Sequence, residues 1–287
     1  MRFWPLCVPV LAAVQGTSIE RTGTFENLKL RESSGVAVSL SHPGVLWTHQ
    51  DSGDGPYLYA TTLEGRDLGR FRVAGAVARD WEDIAAGACP DPWDGNCLFI
   101  SDTGDNDEDR KSTRIFAVRE PDRVGMRDST MHTAPARALE FRYERGPRDV
   151  EAMFVARDGA IHLFTKGRWQ DSEHYVLGPS AWGTTNPVAR WVGVLPIQTR
   201  ATFGRWVTGA ALAPSGRIVA VRTYSEVYLF AFDGQRLSNE PLRVCSVAAA
   251  EPQGEAVDFL DETTMVLTSE AVFRGRAPIH RLRCAAS

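Results

Sequence analysis

Apolar residues along this chain come in short runs separated by turns rich in Pro, Asp and Gly, and no window holds the 3.6-residue apolar period of a long helix. The runs pair up. Run 34–38 turns at His42, Pro43 and Gly44 into 45–51, and run 149–154 turns at Arg157, Asp158 and Gly159 into 161–164. Run 208–212 turns at Pro214, Ser215 and Gly216 into 218–221, and run 254–257 turns at Asp261 and Glu262 into 265–267. Each pair reads as a β-hairpin.

A further hairpin over 81–106 carries the main chemical signal. Trp81, Glu82, Asp83 and Ile84 open it, and its second run, 98–100, ends in Ser101, Asp102, Thr103, Gly104, Asp105 and Asn106. The two ends of a hairpin are neighbours. Glu82, Asp83, Asp102 and Asp105 are therefore expected to converge, where their repulsion calls for open water or a bound cation.

A third run of strand composition follows each hairpin, at 57–61, 114–118, 174–177, 226–232 and 278–282. A fourth follows in most units, at 69–73, 138–143, 190–195 and 242–247. The period is thus four antiparallel strands. Gly35, Asp83, Glu151, Gly209 and Glu255 mark it, with spacings of about 48, 68, 58 and 46 residues, in the range of propeller blades. The predicted fold is all-β, a β-propeller of about five four-stranded blades. The last unit has room for three strands, so segment 24–30 is expected to supply the fourth and close the ring by pairing the two ends of the chain. A β-sandwich followed by a small second β domain is the alternative.

In such a ring, residues before every first strand and after every second strand share one face. One set holds Ser34, Glu82 with Asp83, Glu151, Thr208 and Glu255; the other holds Asp51, Asp102, Lys166, Arg222 and Glu270. The expected metal ligands are Asp51, Glu82, Asp83, Asp102, Glu151, Glu255 and Glu270. Hard oxygen donors from separate strands suit Ca2+, with Mg2+ retaining several waters as the alternative. A channel that simply holds water is the competing reading. Residues 105–116 are not an EF-hand, since Arg110 stands where the turn glycine belongs and Phe116 replaces the closing acid. Lys166 and Arg222 either neutralise neighbouring acids or bind an anionic ligand. His49 lies on the same side of its strand as Asp51 and is a candidate ligand-binding or base residue, although a lone strand histidine more often packs. Trp81, Trp169 and Trp206 adjoin this face and offer stacking surfaces. Neither GxSxG nor HExxH occurs.

Composition narrows the setting. The 287 residues are 43% apolar and 24% charged, ordinary for a folded protein. A net charge of -4 and the lack of a basic stripe argue against nucleic acid as a partner. Arg2, the apolar stretch 3–14 and the small residues Val14 and Gly16 form an expected export signal over 1–16, leaving 17–287 as a single domain; a poorly ordered apolar end is the alternative. Beyond it, Cys89, Cys97, Cys245 and Cys284 are even in number, as an oxidising compartment favours. Cys89 and Cys97 flank one hairpin turn, and Cys245 with Cys284 is the remaining pair. No other apolar stretch reaches the roughly 20 residues of a membrane span. The expectation is a secreted or periplasmic monomer.

The segments Trp81-Glu82-Asp83-Ile84-Ala85, Asp102-x-Gly104-Asp105-Asn106, Val150-Glu151-Ala152, Arg222-Thr223-Tyr224 and Gly254-Glu255-Ala256 resemble, in order, those of a group of exported bacterial β-propeller proteins. More distantly the chain is similar to calcium-dependent propeller hydrolases of the phytase-like and lactonase-like kinds, a likeness at the level of fold. Two functions follow as expectations. One is a non-catalytic binding propeller for an anionic small molecule or cell-envelope ligand. The other is a metal-dependent hydrolase of a phosphoester or ester, with Lys166 and Arg222 holding negative charge.

Overall fold

The hairpins expected from the apolar runs are present in the computed structural model, which describes residues 17–51, 53–127, 129–199, 202–248, 250–271 and 275–284. The expected export segment 1–16 lies outside the described residues. Strand β1 is Ser18–Thr24, and β2 to β5 are Ser33–Val38, Val45–Gln50, Tyr57–Thr62 and Asp67–Arg72. Next come β6 to β8, at Ile84–Ala88, Asn96–Asp102 and Thr113–Arg119, then the short β9 at Thr130–His132 and β10 at Arg137–Tyr143. Strands β11 to β14 are Val150–Val155, Ile161–Thr165, Glu173–Leu177 and Val188–Val194. The last are β15 to β18 at Val207–Leu212, Ile218–Thr223, Glu226–Ala231 and Arg243–Ser246, and β19 to β21 at Gly254–Phe259, Thr264–Ser269 and Pro278–Arg283.

Successive strands pair antiparallel in the orders β2-β3-β4-β5, β15-β16-β17-β18 and β19-β20-β21-β1. Sets β6-β7-β8-β10 and β11-β12-β13-β14 form one eight-stranded sheet, because β10 and β14 pair in parallel at Arg142 with Val188 and Tyr143 with Ala189. The short β9 adds in parallel to β5. First strands β2, β6, β11, β15 and β19 contact one another in sequence, and β19 contacts β2 again. This is a β-propeller with a ring of first strands around a central channel.

Burial follows position in the sheet. Strands β11, β12 and β20 are buried along their whole length, whereas the outer β10 alternates buried and exposed residues. Interior strands therefore read as continuous apolar runs and outer ones as alternating. Each neighbouring pair of strand sets shares an apolar cluster. Trp47, Phe71, Trp81 and Phe116 pack between the first two, and Phe154, Phe164, Phe230 and Phe232 between the third and fourth.

The ends of the chain do pair, but through a different segment than expected. Ser18–Thr24 lies beside β21, from Ser18 opposite Arg283 to Thr24 opposite Pro278, so segment 24–30 is corrected to 18–24. The reason is burial: β1 is an edge strand of mostly polar, exposed residues and carries no apolar run. Phe25 and Leu30, which carried the apolar signal, are buried in the connection to β2. The cysteine pairs form as the sequence predicts. Cys245 and Cys284 bridge β18 to the end of β21 with Cα atoms 5.9 Å apart, and Cys89 and Cys97 close their hairpin at 4.8 Å. Among the described residues, no helix is long and apolar enough to cross a membrane.

Candidate metal centre

One backbone device, repeated, builds this site. Pairing of the first and second strands skips a residue between Ser33 and Gly35, Val150 and Ala152, Val207 and Gly209, and Gly254 and Ala256. Ser34, Glu151, Thr208 and Glu255 are thus the extra residues of β-bulges. Ahead of β6, Glu82 N donates to Ser101 O (3.0 Å) and Ser101 N to Asp83 O (2.9 Å), again two residues facing one. A bulge kinks its strand and re-aims a side chain. These are the first-ring positions of the sequence reading. Neighbouring bulges are tied together, Ser34 Oγ donating to Glu82 O (2.8 Å) and Thr208 Oγ1 to Gly254 O (3.2 Å).

Glu82 stands at the centre of the acidic cluster. Its carboxylate belongs to two groups whose oxygens lie within 4.8 Å of one another: one with Asp51 and Asp80, the other with Asp149 and Glu151. Asp80 precedes Glu82 by two residues, as Asp149 precedes Glu151, and the two members of each pair share an oxygen group. Gly104 makes room for them, since a Cβ there would sit 2.0 Å from Glu82 Oε1 and 2.5 Å from Asp80 Oδ2. Glu82, Asp149 and Glu151 are buried, while Asp51 and Asp80 are half-buried, so the cluster opens to solvent on their side. Asp149 Oδ1 accepts from Asp105 N (3.0 Å), but its Oδ2 is buried with no hydrogen-bond partner. Lys166 Nζ lies 2.5 Å from Glu151 Oε1. Further round the ring, Gln253 Nε2 donates to Glu255 Oε1 (2.9 Å) and Glu270 Oε1 (2.7 Å).

The electrostatics of the cluster are those of crowded anions. Burial, then the charges of Asp51 and Asp149, push Asp80 up to about 6. Glu151 is pushed up to about 7 by burial, against the pull of Lys166. Burial followed by Asp51 and Glu32 brings Glu270 up to about 7. Glu82 and Glu255 are raised well above the usual carboxylate range by burial and then by Glu151. Burial works against the charge on Lys166, yet Glu151, Tyr224 and Glu82 outweigh it and keep its ammonium above the ordinary lysine range.

Other residues of the sequence reading stand elsewhere. Asp83 is fully buried, with Oδ1 accepting from Ile84 N (2.8 Å) and Oδ2 from Met153 N (2.8 Å) and Ala210 N (3.2 Å), so its carboxylate stitches three first strands together. Asp102 Oδ1 accepts from Asp80 N (2.9 Å), and its Oδ2 faces Arg110 Nη2 at 3.4 Å. Asp105 accepts from the backbone of Asp109 and Arg110. Arg222 is fully buried and donates to Ala256 O, Thr268 O and Glu251 Oε2, a clamp between the last two strand sets. His49 is fully buried, with Nδ1 on Gln50 O (2.8 Å) and its pKa lowered by burial. Trp81 is buried against His49 and Phe116. The hairpin 81–106 therefore brings Glu82 alone, of its four expected acids, into the two oxygen groups. Adjacent residues on a bulged strand diverge, and the acids after β7 turn toward Arg110 and the loop backbone.

Asp80 and Asp149 were not among the residues singled out from the sequence. A signal for them exists: the pattern Asp-x-Glu recurs as Asp80/Glu82 and Asp149/Glu151 just before the first strand of two consecutive units. Chemically, the cluster offers oxygen donors alone. Their mutual spacing fits a shared cation bound at 2.3–2.6 Å, the calcium range, without large rearrangement.

No protein-family model matches the chain, and no curated protein matches it. Among solved structures, a glucose dehydrogenase superposes with a TM-score of 0.51 at 8% identity, covering 94% of this chain and 100% of that one. A luciferin-regenerating enzyme gives 0.50 at 9%, covering 93% and 95%. A gluconolactonase-related protein gives 0.48 at 14%, covering 94% and 92%. At these identities the first two superpositions show a likeness of fold alone.

Proposed function

We propose that the chain is an exported, five-bladed propeller, a single domain from Thr17 onward, whose channel-mouth carboxylates hold a divalent cation and bind an extracellular or cell-envelope ligand there. Asp149 carries this reading: its Oδ2 is buried without a hydrogen-bond partner, and its carboxylate shares an oxygen group with Glu82 and Glu151. Leaving such an oxygen dry and unpaired costs several kcal/mol, and a cation removes that cost. Oxygen-only donors favour calcium over the softer metals. Glu82, Asp149 and Glu151 would hold the ion, with Asp51 and Asp80 completing its outer side. The pairing of β1 with β21 supports closure in one final blade, and two disulfides support passage through an oxidising compartment.

A second reading, a metal-dependent hydrolase of a phosphoester or ester, is favoured by one observation. The cluster opens to solvent beside half-buried Glu270, which is pushed up to about 7 and is thus suited to take a proton near neutral pH. A divalent cation at such a site polarises a phosphoryl or carbonyl oxygen.

Elemental analysis of the protein purified without chelator tests the cation reading, with a bound divalent ion as the expected result. Phosphomonoester and aryl-ester panels, run with calcium and with EDTA, separate the two functions. Calcium-dependent turnover that is lost in Glu270→Gln would establish the hydrolase. A bound ion without turnover leaves the binding propeller, and absence of any ion overturns both.

A further inference from the structure

Beside the carboxylates, the same face presents aromatic rings to water. Phe203 is 61% exposed and Trp169 68%, although both stand close to the channel mouth in sequence and in pairing. Trp169 follows Lys166 by three residues, and Phe203 begins the single turn Phe203–Arg205 that leads into β15. That turn is held firmly. Thr202 Oγ1 accepts from Gly204 N (3.4 Å), and Gly204 O accepts from both Ser225 N (2.9 Å) and Ser225 Oγ (2.7 Å).

Three rings pack together on this support, with Phe203 the exposed one and Trp206 and Tyr224 half-buried. Phe203 stacks on Tyr224 with centroids 4.9 Å apart and planes 15° apart, and meets Trp206 edge to face at 4.6 Å. The Arg168 guanidinium lies 5.1 Å from the Trp206 ring, and its Nε has no hydrogen-bond partner. Trp206 is followed by Val207, whose N donates to Lys166 O (3.0 Å), and Lys166 Nζ lies 2.5 Å from Glu151 Oε1, so the rings adjoin the acidic cluster. Holding Phe203 exposed forgoes burial of its apolar face, which a ligand laid on it recovers.

The neighbouring charge selects the ligand. Charges of both signs stand here, Lys166 and Arg168 beside Glu151, Glu255 and Glu270, so an ion of either sign would meet like charge, and a purely apolar ring would leave the polar groups without new partners. A neutral pyranose satisfies both halves, with an apolar C–H face to lie on aromatic rings and hydroxyls to donate to carboxylates or to complete the shell of a hard cation. We propose that the outer face of Phe203, backed by Tyr224 and flanked by Trp206, is a stacking platform for the ring of a neutral saccharide whose hydroxyls reach the carboxylate cluster. The stacking half stands on the aromatic geometry, and the cation contact rests on the reading given under Proposed function.

The test is tryptophan fluorescence titration with methyl glucoside, galactoside, mannoside and xyloside, in calcium and in EDTA, paired with calorimetric calcium titration. Binding of at least one pyranoside is expected, weakened about tenfold in Phe203→Ala and in Trp206→Ala while calcium affinity is unchanged. Pyranoside binding in a protein that takes up no calcium upholds the platform and removes only the cation reading. Absence of binding by all four at ~50 mM to calcium-loaded protein overturns the proposal, as does wild-type affinity in both variants.

Discussion

Replacing Glu82 by Gln should change stability with opposite sign in the presence and absence of calcium. Glu82 is shared by both oxygen groups, and burial with the Glu151 charge raises its pKa well above normal. A carboxylate whose folded pKa lies above its unfolded one binds more protons in the folded state. Its destabilising effect therefore begins above the unfolded value near 4.5 and grows with pH until the folded pKa is passed. Gln has the same shape and never ionises. Removing a charge buried among other acids is worth on the order of 1–2 kcal/mol at pH 8. At roughly 2–4 °C per kcal/mol for a chain of this size, cation-free Glu82→Gln should melt about 2–8 °C above wild type. Calcium at a hundred times its dissociation constant adds ~2.7 kcal/mol to wild type, and the variant forfeits most of it. Differential scanning calorimetry at pH 8, in EDTA and then in excess calcium, reads both conditions. A variant that melts lower than wild type in both refutes the reasoning, because Glu82 would then be a structural hydrogen-bonding residue.

Three further outcomes are expected. Asp83→Asn leaves one acceptor oxygen for the three amides of Ile84, Met153 and Ala210, so urea unfolding should show a loss of ~2–4 kcal/mol that calcium does not restore. Gly104→Ala drives a methyl group into Glu82 and Asp80, and calorimetry should find calcium affinity lowered about tenfold or more with the fold retained by circular dichroism. Cys245→Ser opens a bridge that spans 39 residues and ties β18 to the end of β21, which should lower stability by ~4 kcal/mol in chemical unfolding.

Strand order was legible because inner strands are buried on both sides and turns carry their own chemistry. Runs such as 150–155 and 161–165 are mostly apolar and buried along their whole length, and Asp158 and Gly159 mark the turn between them. Edge pieces were harder. Polar β1 and three-residue β9 owe their conformation to a neighbouring strand, and no local pattern marks them. At the site, the positions brought together by the bulges at Glu151 and Glu255 were readable from the repeat. The direction of each side chain was not. Asp83 and Glu82 are adjacent in sequence, yet one carboxylate is spent on backbone amides and the other on its fellow acids. Arg222 likewise looks from sequence like a cation on the face, whereas its guanidinium turns inward to carbonyl oxygens and Glu251. Such choices follow from contacts between sheets far apart in the chain, which one unit's sequence does not contain.

The most direct measurement is isothermal titration of calcium into the stripped protein at pH 6.5 in two buffers of different ionisation enthalpy. Because Asp80 and Glu151 hold their protons up to about 6 and 7, binding should be saturable and should release protons, seen as a buffer-dependent heat. Saturable binding with proton release, absent in Glu82→Gln, is the result this account requires. No calcium heat at all in the wild-type protein would contradict it and leave the channel mouth as an acidic, water-filled surface.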